Sequence, residues 1–216
     1  MKARFWMLTL LAGLLFAIAL PASAQILYEN GPINGTTDAW TINFGFIVSD
    51  TFTLTGPSSV TGISFGAWMY PGDVLESVEV SFTSGEFGGT TYFDQVINLT
   101  ASSCSGNQYG YDVCTETGSF NGGVNLAAGT YWMNLQNAVV NDGDPVYWDE
   151  NSGVGCHSVG CPSEPSQNDE GTIESEAFSI LGTTSGGRDT VPEPGSLLLL
   201  GSGFLVTVGV LRRKLF

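Results

Sequence analysis

The 216-residue chain is strongly acidic, because 21 Asp and Glu residues against six Lys and Arg give a formal net charge of −15. The imbalance is larger between residues 25 and 190, where Arg188 alone faces 20 acidic residues and the formal charge is −19. Nucleic-acid binding is therefore excluded, since neutralising phosphates requires clustered Lys and Arg.

The first 24 residues have the three parts of a secretory signal peptide. The basic Lys2 and Arg4 precede an apolar stretch at 5–20, which predicts a short helix, and the small residues 22–24 form a cleavage site. We expect signal peptidase to remove this segment, so that the mature chain begins at Gln25 and is exported.

Residues 25–181 have the pattern of short strands separated by turns, in a length that suits one domain. In 78–82 (VEVSF) apolar side chains fall at every second position, which is the period of a half-buried strand. Turn-forming stretches such as 70–73 (YPGD) interrupt these runs. The pattern predicts an all-β domain, a single antiparallel β-sandwich with a jelly roll as the expected form. The predicted strands are 40–48, 50–54, 60–69, 75–83, 90–97, 118–126, 130–138, 145–148 and 176–181.

The strand pattern disappears in two polar stretches. Between residues 150 and 175, Gly, Ser, Asn, Pro and acidic residues dominate, which predicts a long surface loop. Residues 182–190 are also polar and Gly-rich, so we expect a flexible linker between the domain and the C-terminal segment.

Four cysteines lie in the part of the chain that is expected to be exported. An even number of cysteines in an oxidising compartment favours disulfides, and the short spacings predict the pairs Cys104–Cys114 and Cys156–Cys161. The alternative is a zinc site formed by Cys156, His157 and Cys161. A single histidine in the whole chain makes that site the weaker interpretation.

Three acidic residues are candidate Ca²⁺ ligands. Asp142, Asp144 and the nearby Asp149 supply the carboxylate oxygens that this hard cation prefers. Their spacing does not match an EF-hand loop, so a plain turn is the alternative, and no other cofactor is expected.

Aromatic residues suggest a second kind of site. Trp148, next to the acidic stretch, is the candidate residue for stacking against a sugar ring, as in carbohydrate-binding sandwiches. A tryptophan in a strand is more often part of the core, which is the competing interpretation.

Catalytic patterns are few, and we expect the protein not to be an enzyme. His157 is the only histidine that can serve as a base, and residues 25–190 contain no lysine. A pair of carboxylates for glycoside hydrolysis stays open, because 20 acidic residues offer many pairs.

The C-terminal segment, residues 191–216, has three parts. Pro192, Glu193 and Pro194 precede an uncharged stretch at 196–211, which is followed by basic residues. As a helix rising about 1.5 Å per residue, the stretch nearly crosses a bilayer. The basic residues keep its end cytoplasmic, which leaves the preceding domain outside. They are Arg212, Arg213 and Lys214.

This three-part segment resembles the PEP-CTERM sorting signal of exported bacterial proteins, which is also catalogued as an ice-binding-protein C-terminal domain. Residues 192–194 match the motif, 196–211 the transmembrane helix and 212–214 the basic end. The resemblance implies recognition by exosortase, a membrane protease that would cut near the motif after transient anchoring in the inner membrane. An ordinary single-pass anchor that is never cut is the alternative.

The combined expectation is an exported, non-enzymatic cell-surface or extracellular-matrix protein that exosortase processes. The alternative is a carbohydrate-binding sandwich that attaches to exopolysaccharide, with or without Ca²⁺. A hydrolase that uses two carboxylates is the third candidate.

Overall fold

A computed structural model describes residues 24–152, 158, 160 and 163–185, which contain twelve β-strands and no helix. Within these ranges no helix is long and apolar enough to cross a membrane. The strands are β1 (Gln25–Glu29), β2 (Ala39–Thr41), β3 (Ile47–Leu54), β4 (Ser58–Met69), β5 (Leu75–Gly85), β6 (Gly88–Gly106), β7 (Asp112–Leu126), β8 (Gly129–Val140), β9 (Tyr147–Asp149), β10 (Ser166–Gln167), β11 (Gly171–Thr172) and β12 (Phe178–Thr184).

Several predictions fall outside the described residues. They are the signal peptide, the Cys156–Cys161 disulfide and its zinc alternative with His157, the end of the linker, and the entire C-terminal segment with its motif, helix and basic end.

The strands form one continuous antiparallel sheet that curls on itself. Its order is β1-β12-β4-β7-β6-β5-β8-β3-β10-β11, with β9 also paired to β4 and β2 to β9. The long strand β6 joins the two halves, because it pairs with β5 as far as Asn98 and with β7 from Leu99 onward. The predicted all-β, antiparallel class is therefore confirmed, in the form of a curled sheet.

The core lies inside the curl, where strands from distant positions in the sheet meet. The ring of Tyr28 in β1 lies 6.3 Å from that of Phe52 in β3, and the rings of Phe82 in β5 and Phe120 in β7 are 5.6 Å apart. In β5 the predicted alternation holds, since Val78, Val80 and Phe82 are all fully buried. Apolar burial of this kind supplies most of the driving force for folding.

Several predicted strand boundaries are wrong, including the end of β6, which runs on to Gly106. The predicted strand 40–48 is broken after β2, because Phe44 and Gly45 have φ angles of 57° and 91°, which no extended strand accepts. At the other end, β12 continues to Thr184, three residues into the predicted linker, because it pairs there with Ser58 and Ser59 of β4.

The predicted surface loop at 150–175 is also wrong for much of its described part. Ser163, Ser166, Gln167 and Ser175 are buried, and β10 extends the sheet by pairing with β3. Polar composition gives the appearance of a loop, but polar side chains can enter an interior when they are hydrogen-bonded. This segment consequently packs against the domain and brings polar groups into it.

The predicted Cys104–Cys114 disulfide is confirmed. The two cysteines lie opposite one another on β6 and β7 and their sulfur atoms are bonded. The bond fixes the register of the exposed end of β6, which carries few apolar side chains of its own.

Candidate functional site

A patch of tyrosines covers one end of the sheet near the turn between β4 and β5. Tyr70 and Tyr109 are 42% and 53% exposed. The ring of Tyr111 lies 5.2 Å from that of Tyr70 and 5.6 Å from that of Tyr147, and Trp68 stacks on Tyr109 at 5.5 Å. We call these four tyrosines and Trp68 the tyrosine patch. It offers flat apolar faces with polar hydroxyl groups at their edges.

Three carboxylates lie beside the tyrosine patch. Asp73, Asp142 and Asp144 each place an oxygen within 4.8 Å of the others, close enough for one metal ion. A hydrogen bond from the backbone N–H of Val74 to Asn141 Oδ1 (2.8 Å) holds the two turns together. The pKa of Asp73 is raised by partial burial and by Asp142. The pKa of Tyr70 is raised by its hydrogen bond with Tyr111, and the nearby Asp144 and Asp73 add to this shift.

The predicted calcium ligands are therefore only partly brought together. Asp142 and Asp144 share a site, but Asp149 lies in the interior, where it accepts hydrogen bonds from the indole N–H of Trp68 (2.6 Å) and the backbone N–H of Asn34 (3.0 Å). Including Asp149 was wrong, and Asp73 takes its place. The sequence places Asp73 in a Tyr-Pro-Gly-Asp turn. It does not indicate that this turn contacts the turn that carries Asp142 and Asp144.

The prediction of Trp148 as a stacking residue is also wrong. Its side chain is fully buried, and its ring lies 5.5 Å from Phe178 and 6.3 Å from Phe65. Its indole N–H donates to the backbone oxygen of Ala177 at 3.1 Å. No face of this ring is available to a sugar.

A second surface feature is a cleft of about 460 Å³ that we call the acidic cleft. On the wall of this cleft, the indole N–H of Trp40 donates a hydrogen bond to Glu150 Oε1 at 2.7 Å. Burial raises the pKa of Glu150 to about 7, with Glu174 and Asp38 adding to the effect and the Trp40 bond opposing it. The lining residues are Thr37, Asp38, Trp40, Glu150, Glu170, Thr172, Ile173 and Glu174.

Behind the acidic cleft lies a group of acidic residues that we call the buried carboxylate cluster, formed by Asp50, Asp149, Glu150 and Glu176. All four are at most 3% exposed. Burial raises the pKa of Asp50 to about 7 and that of Asp149 to about 6, although hydrogen bonds partly oppose both shifts. Burial also raises the pKa of Glu176 well above its usual range, and the neighbouring carboxylates reinforce the shift.

Comparison with known proteins bears on the C-terminal segment. The model of the PEP-CTERM protein-sorting motif matches residues 190–214, which include the Pro-Glu-Pro motif, the uncharged stretch and the basic end. No curated protein was found to match the chain. The resemblance inferred from residues 192–194, 196–211 and 212–214 is thus confirmed, and the chain carries the PEP-CTERM protein-sorting motif at residues 190–214.

Proposed function

We propose that this chain is an exported, non-enzymatic protein of the cell surface or extracellular matrix, delivered there by exosortase. The observation that carries the proposal is the sorting motif at 190–214 behind an acidic, sandwich-like β domain. The signal-peptide pattern at 1–24 supplies the export step, and the uncharged stretch at 196–211 supplies transient anchoring in the inner membrane.

Two features support a non-enzymatic role. The described residues contain no lysine, arginine or histidine, so within them only carboxylates and tyrosines are available for acid–base chemistry. Asp50 and Glu176, whose pKa values are raised, are fully buried, and a substrate cannot reach them. A general acid or base must lie within hydrogen-bond reach of its substrate.

Replacing Pro192, Glu193 and Pro194 together by alanine is expected to stop processing and leave the chain in the inner membrane. The change keeps the uncharged stretch and the basic end, so membrane insertion is retained while the motif is lost. Cell fractionation and immunoblotting measure the distribution. Asp189→Ala, immediately before the matched residues, is the control and should be processed normally. Normal surface delivery of the triple variant would contradict exosortase sorting.

The tyrosine patch favours a second candidate function, binding of exopolysaccharide with help from Ca²⁺. Its exposed rings lie next to the metal-competent group Asp73, Asp142 and Asp144. Sugar rings stack on aromatic faces, and a bound Ca²⁺ can accept sugar hydroxyl groups as ligands. The proposal moves the sugar site from the buried Trp148 to this surface.

Tyr109→Ala is expected to weaken glycan binding about fivefold or more, because it removes the most exposed ring of the patch. Titration of the exported protein against a glycan panel, with and without Ca²⁺, measures this change. Tyr92→Ala is the matched control, since Tyr92 is 44% exposed and lies in β6, outside the patch. Equal losses in both variants, or no saturable binding to any glycan, would reject the carbohydrate site. Hydrolysis of a glycan that Glu150→Gln abolishes would instead indicate an enzyme.

A further inference from the structure

Asp50 is the centre of a buried polar network between β3 and the segment that leads into β12. Its Oδ2 accepts hydrogen bonds from the backbone N–H of Glu176 (2.9 Å) and from Asn30 Nδ2 (3.3 Å). The hydroxyl of Ser175 lies 2.9 Å from that of Ser163, and both hydroxyl oxygens lie within 3.2 Å of Asn30 Nδ2, whose two N–H groups are shared among these acceptors. The network therefore brings a carboxylate and two hydroxyl oxygens to one place in the interior.

Glu176, whose backbone N–H donates to Asp50, has a side chain without a hydrogen bond. It is fully buried, and neither of its carboxylate oxygens has a hydrogen-bond partner. Its backbone lies opposite that of Glu150 in an antiparallel bridge. The charged groups that act on it are all acidic: Asp50, Glu150, Asp149 and Asp38. Both carboxylate oxygens of Glu176 are thus free to bind a cation, and the charged groups around them are all negative.

No basic side chain in the described part of the chain can balance these charges, because that part contains no lysine, arginine or histidine. Burying an unpaired carboxylate is costly, because the ion loses its hydration and gains no opposite charge. A buried acidic group of this kind is stable only if it takes up protons or binds a cation. Four such carboxylates in one region make a divalent cation the more effective counter-charge.

We propose that Glu176 and Asp50 bind one Ca²⁺ ion in the interior of the domain, with the hydroxyl oxygens of Ser163 and Ser175 as further donors. Glu176 contributes two free oxygens, as a bidentate carboxylate does in many Ca²⁺ sites. All four donor side chains present oxygen and none presents sulfur or nitrogen, which suits a hard cation. This interior site is separate from the surface group Asp73, Asp142 and Asp144.

Ca²⁺ suits the site better than Mg²⁺ does. Ca²⁺ accepts six to eight oxygen ligands in irregular arrangements, whereas Mg²⁺ requires near-octahedral geometry and keeps several of its waters. A site closed to solvent, lined by carboxylates and hydroxyls from separate parts of the chain, has little room for those waters. The ion would join β3 to Ser163, Ser175 and Glu176, which explains why these polar residues are buried.

The test uses the exported protein carrying Asp142→Asn and Asp144→Asn, which removes the surface metal group. After treatment with EDTA and dialysis, isothermal titration with CaCl₂ is expected to show one bound ion per chain. Thermal unfolding at pH 7.5 should shift upward by about 5 to 10 °C at a Ca²⁺ concentration about 100 times the measured Kd. MgCl₂ at the same concentration should give a much smaller shift.

Adding Glu176→Gln to that background should weaken Ca²⁺ binding about tenfold or more and reduce the thermal shift to about half or less at the same Ca²⁺ concentration, while the chain stays folded because a repelling charge is removed. Asp50→Asn is the second variant and should give the same loss if Glu176→Gln does not fold. The proposal is overturned if the Asp142/Asp144 variant binds no Ca²⁺, or if the additional substitution leaves binding unchanged. If that variant binds no Ca²⁺, the charges of the buried carboxylate cluster are neutralised by protons instead.

Discussion

Replacing Trp148 by alanine is expected to destabilise the domain by about 3 to 5 kcal/mol. The indole is fully buried against Phe65 and Phe178 at the junction of β9 with the strands around it. Truncation leaves a cavity, so packing contacts are lost. It also removes the indole N–H that donates to the backbone oxygen of Ala177, which leaves that oxygen without this hydrogen bond. Since domains of this size are stable by only about 5 to 15 kcal/mol, the variant should be close to unfolding.

Urea unfolding followed by tryptophan fluorescence measures the change. Trp132→Ala is the matched control, because Trp132 in β8 is only half-buried and the same atoms are removed. A much smaller loss of stability is expected there. Equal stability of the two variants, combined with loss of glycan binding in Trp148→Ala alone, would mean that Trp148 is a ligand-contacting residue after all.

A second large effect is expected from pH: without bound metal, the domain should lose stability as the pH rises. Asp50 has its folded-state pKa raised from 3.8 to about 7, so the folded chain keeps a proton that the unfolded chain releases above about pH 4. The stability that this bound proton contributes is thus fully present below the unfolded-state pKa. It is lost between about pH 4 and 7, at about 1.4 kcal/mol per pH unit for such a group.

Glu176 adds to this loss, because burial raises its pKa well above its usual range and the neighbouring Asp50, Glu150, Asp149 and Asp38 reinforce the shift. In EDTA, the midpoint of thermal unfolding should fall steadily from pH 4.5 to pH 8. Glu176→Gln should reduce the slope, whereas the exposed Glu76→Gln should leave it unchanged. A midpoint that is constant or rises over this range would show that the buried carboxylates are neutralised by something other than protons.

The sequence predicted the strands well where one face is apolar. The alternation at Val78, Val80 and Phe82 placed β5 and its buried face correctly, and the spacing of Cys104 and Cys114 identified the disulfide. It failed at Phe44, since a positive φ at a non-glycine residue has no signature in composition. It also failed for the exposed end of β6, which is held by pairing and by the disulfide rather than by apolar burial.

The sites were harder to predict because their residues come from separate turns and strands. Asp73 joins Asp142 and Asp144 only when the turn after β4 meets the turn after β8. Ser163 and Ser175 read as loop residues, yet they are buried through hydrogen bonds with Asn30. In the short strand β9, three residues provide too little alternation to tell the buried Trp148 from an exposed one.

The central claim is that the C-terminal segment directs this acidic β domain outward and is then removed. Mass spectrometry of the C-terminal peptide of the surface-exposed, mature protein tests it most directly. We expect a C-terminus near the Pro-Glu-Pro motif, ahead of the uncharged stretch at 196–211, and a chain that begins at Gln25. Recovery of the intact C-terminal residues 211–216 in that pool would contradict processing and identify the segment as a permanent anchor.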